Sequence, residues 1–287
     1  MAPRRPPNYR CQSSRIRPWR LTKINARWDW LTEAAAAGVT IVLIALFADI
    51  HANRQAFSAC LQQARADGVE RIVLLGDYVG YGGDPEWAVD TVMDLVAHGA
   101  PAVLGNHDEA IGNPHERMNV EARVAIEWTR GVLGASQRQF LAGLPLTFND
   151  AGRLYVHADA SKPGSWIYVA STAQAADSIA ATPAHITFCG HIHRPALYSM
   201  SPTAKMTAFI PTAGVAIQLM PGRRWLAVLG SVGQPRDGNP AAAYAMLDTD
   251  KRELTYCRAP YDVEGAAAAI RRHGLPNSLA ERLFKGE

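Results

Sequence analysis

Seven side chains suited to binding metal ions are spread along this 287-residue chain in short clusters. Asp49-Ile50-His51, Gly76-Asp77, Gly105-Asn106-His107-Asp108, His157 and Gly190-His191-Ile192-His193 each follow a short apolar run. Carboxylate, amide and imidazole donors without thiolate suit Mn above all, with Zn, Fe, Ni or Co as alternatives. Asp49, His51, Asp77, Asn106, His157, His191 and His193 are more ligands than one ion needs, and His107 is left over. Two ions sharing a bridging carboxylate would use them. Such a pair, about 3.5–4 Å apart, activates water and neutralises charge on a phosphoryl group. In an extended segment residues i and i+2 point the same way, so Asp49 with His51, and His191 with His193, are expected to converge in pairs.

The elements that must position these residues follow from periodicity. Residues 39–48 form a continuous β-branched run, expected as a parallel strand covered on both faces. Ala56, Phe57, Cys60, Leu61 and Ala64 give residues 53–67 helical spacing. A second strand is expected at 71–75, a helix from Pro85 to about His98, and a third strand at 101–104. That order argues for a βαβαβ unit with a mostly parallel sheet, whose sites lie beyond the carboxyl ends of its strands. Residues 115–143 read as helical, with Val120, Val124, Ile126, Trp128, Phe140 and Leu141 as apolar positions. Short strands near 153–158, 185–189, 206–211, 215–219, 225–230, 243–249 and 252–258 are expected to form a second sheet, and a last helix covers 262–272. The fold class is therefore α/β, a four-layer α-β-β-α sandwich with two mixed sheets.

Bulk properties narrow the setting. The net charge of +3 conceals a basic N-terminal segment: residues 1–37 carry +6, which leaves about −3 for the rest. Residues 1–38 are expected to be a disordered basic extension and 39–287 one domain. The basic character belongs to the extension, so no stable nucleic-acid complex is expected. Cys11, Cys60, Cys189 and Cys257 form no C-x-x-C pair, which fits free thiols in a reducing cytoplasm. The apolar run at 34–48 is short for a bilayer span, and no apolar segment closely follows Arg4-Arg5, so neither membrane insertion nor export is expected. His98, His115, His185 and His273 stand without motif partners and are not expected to be ligands. Nothing in the sequence sets an oligomeric state.

Taken in order, Asp-x-His, Gly-Asp, Gly-Asn-His-Asp, a strand-borne His and Gly-His-x-His resemble the calcineurin-like metallophosphoesterase superfamily over about residues 41–258. The stretch from Gly230 to Gly238, with Ala243-Tyr244-Ala245, is similar to a bacterial and archaeal subgroup described as akin to diadenosine tetraphosphatases, protein phosphatases or small phosphodiesterases. The resemblance implies that Asp49, His51 and His193 bind a first ion, that Asp77 bridges, and that Asn106, His157 and His191 bind a second. It implies in-line attack by a metal-bridging hydroxide, with His107 as general acid or hydrogen-bond donor beside the leaving group. Asp108 joins His107 in the candidate catalytic set, either positioning its neighbours or capping a helix.

Two positions depart from the pattern. The protein-phosphatase branch carries an Asp that orients the catalytic His and a phosphate-binding Arg where this chain has Gly80 and Tyr81. Their loss removes a clamp on a dianionic monoester. The expectation is therefore a phosphodiesterase acting on nucleotides or other small phosphodiesters, with Arg236 or Arg194 as candidates for the missing cation. The alternatives are a phosphomonoesterase or serine/threonine protein phosphatase, and a non-catalytic metal-binding scaffold such as the family's retromer subunit. Tyr81 is expected to pack, with stacking on a base as the other reading. Asp159 is expected to be a bystander.

Overall fold

In a computed structural model describing residues 42–113 and 118–287, two mixed β-sheets pack face to face between helices. The expected extension at 1–38, with Cys11, and His115 fall outside the described residues, as do 39–41 of the first expected strand. Strand β1 (Leu43–Phe47) shows why the layers form. Its Ala45 and Phe47 side chains face the helices, while Ile44 and Leu46 face the other sheet, so both faces of an apolar strand are covered. Helix α1 (Arg54–Ala66), capped by the Asn53 side chain, crosses to β2 (Arg71–Leu74), which pairs parallel with β1.

The expected third strand at 101–104 is only a single parallel bridge between Leu74 and Ala102. Pro101 contributes a carbonyl to Leu74 but has no N–H, and the Leu104 N–H goes to the Pro145 carbonyl, so the ladder stops. The sheet grows from the opposite edge of β1 instead. Strands β8 (Ala216–Gln218), β10 (Ala242–Asp248) and β11 (Glu253–Ala259) complete the order β2-β1-β10-β11-β8. Strands after residue 146 were expected to form a sheet of their own, and these three do not. Tyr244 and Cys257 face the helices while Leu247 and Leu254 face the other sheet, so this hairpin needs layers on both sides.

The second sheet has the order β3-β4-β5-β9-β6-β7. It contains β3 (Thr147–Asp150), β4 (Arg153–Val156), β5 (Ile186–Cys189), β6 (Ala196–Met200), β7 (Met206–Phe209) and β9 (Arg224–Val228); β3 and β6 were not anticipated. The β4-β5-β9 pairs are parallel, so their carboxyl ends share one edge. Tyr155 stacks on Phe188 in the core between the sheets, with ring centroids 5.5 Å apart.

Helix α2 (Pro85–Ala97) ends close to the expected point. Helix α3 (Asn106–Gly112) begins on the ligand-type residues themselves, and α4 (Val120–Val132) and α5 (Ala135–Ala142) follow. The buried face of α4 is Ala122, Ala125, Ile126 and Thr129; Val120 and Val124 are exposed, because small alanines rather than valines make the close contact with α8 (Asn277–Lys285). Helix α6 (Thr172–Ala180) covers the outer face of the second sheet, and α7 (Val263–Arg272) matches the expected last helix, although α8 follows it.

Candidate metal centre

The seven ligand-type side chains meet where the carboxyl ends of β1, β2, β4 and β5 and the start of α3 come together. His193 Nε2 lies 3.4 Å from Asp49 Oδ1 and 3.0 Å from His51 Nε2. His157 Nε2 lies 3.3 Å from Asp77 Oδ2 and 3.2 Å from Asn106 Oδ1. Among the described residues, Asp49, His51 and His193 form one group able to hold a metal ion, and Asp77, His157 and His191 form another; Asp77 also groups with His51 and His107. Asp77 thus stands between the two halves, with His51 Nε2 3.7 Å from its Oδ2.

The chain reaches this convergence by curling. Asp49, His51, Asp77, His191 and His193 all have φ between 49° and 69°, in the left-handed region. Asp49 and His51 converge in one group through left-handed turns rather than the expected extended backbone, whereas His191 and His193, expected to pair, fall in different groups. Each such residue costs on the order of 1–3 kcal/mol, and strain of this kind gathers at functional sites.

Backbone carbonyls fix the imidazoles. His51 Nδ1–H donates to Val79 O at 3.0 Å, His157 Nδ1–H to Leu75 O at 2.7 Å, and His193 Nδ1–H to Gln234 O at 2.7 Å. Each leaves its Nε2 facing the cage. His191 is turned the other way: Nε2–H donates to Trp166 O at 3.0 Å, leaving Nδ1 as the free donor atom. Anchors of this kind select the tautomer and orient a ring for a metal ion.

The carboxylates are held as firmly. Both Asp49 oxygens accept the His191 N–H, and Asp77 Oδ1 accepts the His107 N–H at 2.8 Å. Burial alone would raise the Asp77 pKa, but His157, His107 and His51 hold it well below the usual carboxylate range. Burial also opposes a charge on His157, yet Asp77 and Asp49 push its pKa up to about 9. Burial and neighbouring imidazoles lower His51, and they take His191 down to about 3.

Asp108 is not at the cage mouth. Its carboxylate accepts N–H bonds from Asp77, Tyr78, Val79 and Gly105 at 2.8–3.3 Å, tying the 77–79 turn to the start of α3. It reaches the site through the backbone it positions. Burial and the Asp77 charge raise its pKa to about 8 against the pull of those donors. Gly105 is required by close approach: a Cβ there would lie 2.2 Å from Asp77 Oδ1.

His107 differs from the other four histidines. Its Nε2 lies 4.0 Å from Asp77 Oδ2, and its buried Nδ1 has no hydrogen-bond partner among the described residues. A Cβ on Gly80 would fall 2.3 Å from that Nδ1, so Gly80 packs directly beneath the ring. Burial, with the charges of His193, His157 and Arg236, outweighs Asp77 and lowers the His107 pKa to about 4.

Tyr81 packs 4.6 Å from both the His51 and His107 rings and is almost wholly buried, which leaves no face for a base. Arg236 covers it, with the guanidinium carbon 5.6 Å from the ring centroid and Nη2 donating to Gln234 Oε1 at 2.9 Å. Of the two candidate cations, Arg236 is therefore the one at the site. Arg194 is exposed and donates to the Arg236 carbonyl. On the opposite side, Trp166 adopts a left-handed conformation and donates from Nε1 to Glu109 Oε2 at 2.8 Å, while Tyr168 stacks on His191 at 4.3 Å.

Trp166 and Tyr168 carry no spacing signal in the sequence and come to the site only through the fold. Gln234 and Ser231, whose hydroxyl donates to the Asp49 carbonyl at 2.8 Å, lie in the 230–238 stretch that follows β9. Of the histidines without motif partners, His98 and His273 occupy helix C-caps, and His185 N–H bonds to the Gly152 carbonyl. Asp159 accepts from Ser161 and the Lys162 N–H.

A family model for the calcineurin-like phosphoesterase superfamily domain matches residues 42–252. The chain belongs to the calcineurin-like phosphoesterase superfamily. The chain is 32% identical over 250 residues to an uncharacterized protein of Methanocaldococcus jannaschii, covering 85% of this chain and 98% of that one. A metallophosphoesterase from Sphaerobacter thermophilus is similar in structure, with a TM-score of 0.76, 34% identity, and coverage of 86% of this chain and 99% of the other. A hypothetical protein from Pyrococcus horikoshii shares the fold at a TM-score of 0.69 and 18% identity, over 86% and 99% of the two chains. The chain is thus a phosphoesterase of a divalent-metal-dependent superfamily, and its oxygen and nitrogen donors with pre-set tautomers fit such ions. No helix among the described residues is long and apolar enough to cross a membrane.

Proposed function

We propose that this phosphoesterase holds two divalent cations, Mn foremost, and hydrolyses small phosphodiesters, nucleotides among them. The observation that carries the reading is the place of Asp77 between the Asp49/His51/His193 group and the Asp77/His157/His191 group. Asp49, His51 and His193 would hold one ion and Asn106, His157 and His191 the other, with Asp77 within reach of both. Two such ions supply Lewis acidity, which acidifies water and draws charge from phosphoryl oxygens.

The chain's own groups do the rest. His107, neutral at pH 7, presents a ring N–H to the departing oxygen as a hydrogen-bond donor rather than as a cation. Asp108 keeps the Asp77 turn and the start of α3 in register. The single guanidinium of Arg236 suits the one negative charge of a diester better than the two of a monoester. The buried, free thiols of Cys60, Cys189 and Cys257 are consistent with a reducing, cytoplasmic setting.

The test is hydrolysis of bis-p-nitrophenyl phosphate by metal-stripped protein reloaded with Mn, Zn, Ni or Co. Turnover should appear only with metal, and His107→Ala should lower it about 10²–10⁴-fold without loss of bound metal. Turnover with none of the metals sinks the proposal. Faster cleavage of p-nitrophenyl phosphate, lost in Arg236→Ala, would make the enzyme a monoesterase with Arg236 as its clamp.

A further inference from the structure

The segment between β4 and α6 builds one wall of the mouth, and the cage fixes it in place. Trp166 sits at φ 54° and ψ 39°, a conformation that bulky residues rarely adopt. That turn lets one residue make three contacts. Its carbonyl accepts the His191 Nε2–H, its indole N–H donates to Glu109 of α3, and its ring meets His157 edge-on at 5.9 Å. Two residues on, Tyr168 lies flat against His191, with centroids 4.3 Å apart and planes 15° apart. One face of Tyr168 is thus covered by the imidazole, yet the residue is 49% exposed. With one face against the imidazole, that exposure comes from the rest of the residue. The stack on His191 uses one face of the ring and leaves the rest of it available to a ligand.

The two sides of the mouth divide the work. His107, Tyr81 and Arg236 form one side and carry the hydrogen-bond donor and the cation. His191, Trp166 and Tyr168 form the other, and Tyr168 offers an apolar face and no charge. In an in-line displacement the attacking and leaving oxygens share one axis, with the leaving group on the His107 side, and the retained substituent stands at about a right angle to that axis, free to turn to the wall without a cation, that of Tyr168.

We propose that the open face of Tyr168 is a stacking platform for a planar ring on the retained group of the substrate, which makes Tyr168 the residue selecting nucleoside diesters over alkyl diesters. This rests on the diesterase reading above. Stacking on a π-face accepts any base, so the platform selects for a nucleoside without reading which one.

The test compares thymidine 5′-p-nitrophenyl phosphate with methyl p-nitrophenyl phosphate, which share a leaving group and differ in the retained group. With Mn-loaded protein, Tyr168→Ala should raise KM for the thymidine ester about tenfold with little change in kcat, leave the methyl ester within about twofold, and be rescued by Tyr168→Phe. Equal losses on both esters would show that Tyr168 only supports His191, and no change on either would show that nothing stacks there; both overturn the proposal. If the parent protein cleaves neither ester, the diesterase reading fails separately. Calorimetric binding of adenosine 5′-monophosphate against ribose 5-phosphate then decides the platform: a preference for the nucleotide that Tyr168→Ala abolishes supports it, and equal affinities overturn it.

Discussion

The floor of the site and its rim are held by different kinds of contact. On the floor, His51, His157, His191 and His193 each give one ring N–H to a backbone carbonyl, and Asp49 and Asp77 accept backbone N–H groups. The path of the chain itself therefore sets the positions of the donor atoms. At the rim, His107 has a ring nitrogen with no partner among the described residues, Arg236 rests on Tyr81 and Gln234, and Tyr168 rests on His191. Side chains hold side chains there. Metal chemistry tolerates little displacement of its donors, whereas substrate choice can be altered by exchanging single rim residues without disturbing the backbone below.

The strongest way to break this contrast is at Asp77. Asp77→Asn should lose both ions, measured by metal analysis after gel filtration, and activity should fall to the background rate. A variant that kept its full metal content would show that Asp77 does not join the two halves.

A rim change should do the opposite, lowering rate while sparing metal. Gly80→Ala places a methyl 2.3 Å from the present position of His107 Nδ1, at a backbone φ of +86° that side chains rarely adopt. The expected result is a fall in kcat of about 10²-fold, as His107 is displaced, with unchanged metal stoichiometry. Full activity would mean that the His107 ring moves without consequence. The same packing implies that restoring an Asp at position 80 would not recreate the protein-phosphatase arrangement, since no side chain fits under His107 as it stands.

The smallest effect concerns a proton on the floor. The pKa of His157 is raised from 6.5 to about 9, so at pH 7 the metal-free imidazole is protonated. An ion bound at Nε2 must displace that proton. Metal affinity should therefore rise with pH up to about 9 and level off above it. Calorimetry at pH 7 in two buffers of different ionisation enthalpy should show about one proton released per His157 displaced, and no release would contradict the raised pKa.

Much of this was legible in the chain because ligand-type residues follow apolar runs at short, regular offsets. Asp49, His51, Asp77, Asn106, His157, His191 and His193 stand out as a set because few other pressures place Asp, Asn and His just after buried strands. The layers were legible for a similar reason: β1 is apolar at every position, so it must be covered on both sides. Sheet membership was not legible. β8, β10 and β11 carry patterns that fit either sheet, and only long-range pairing with β1 assigns them to the first. Residues 101–104 look like a strand locally, but a strand is made by its partners, and here there is one bridge.

For the site, the sequence by itself determined which donors are present, that Gly80 and Tyr81 replace an Asp and an Arg, and that a cation was available at Arg236 or Arg194. Tertiary structure alone decided that the donors converge through left-handed turns, which imidazole nitrogen each presents, and that Arg236 rather than Arg194 reaches the mouth. It alone brought Trp166 and Tyr168 to His191. The physical reason is the same in each case. Residue type and local spacing are written along the chain, whereas hydrogen bonds such as His193 to Gln234, or a ring laid on a ring such as Tyr168 on His191, join positions tens of residues apart and exist only once the strands have paired.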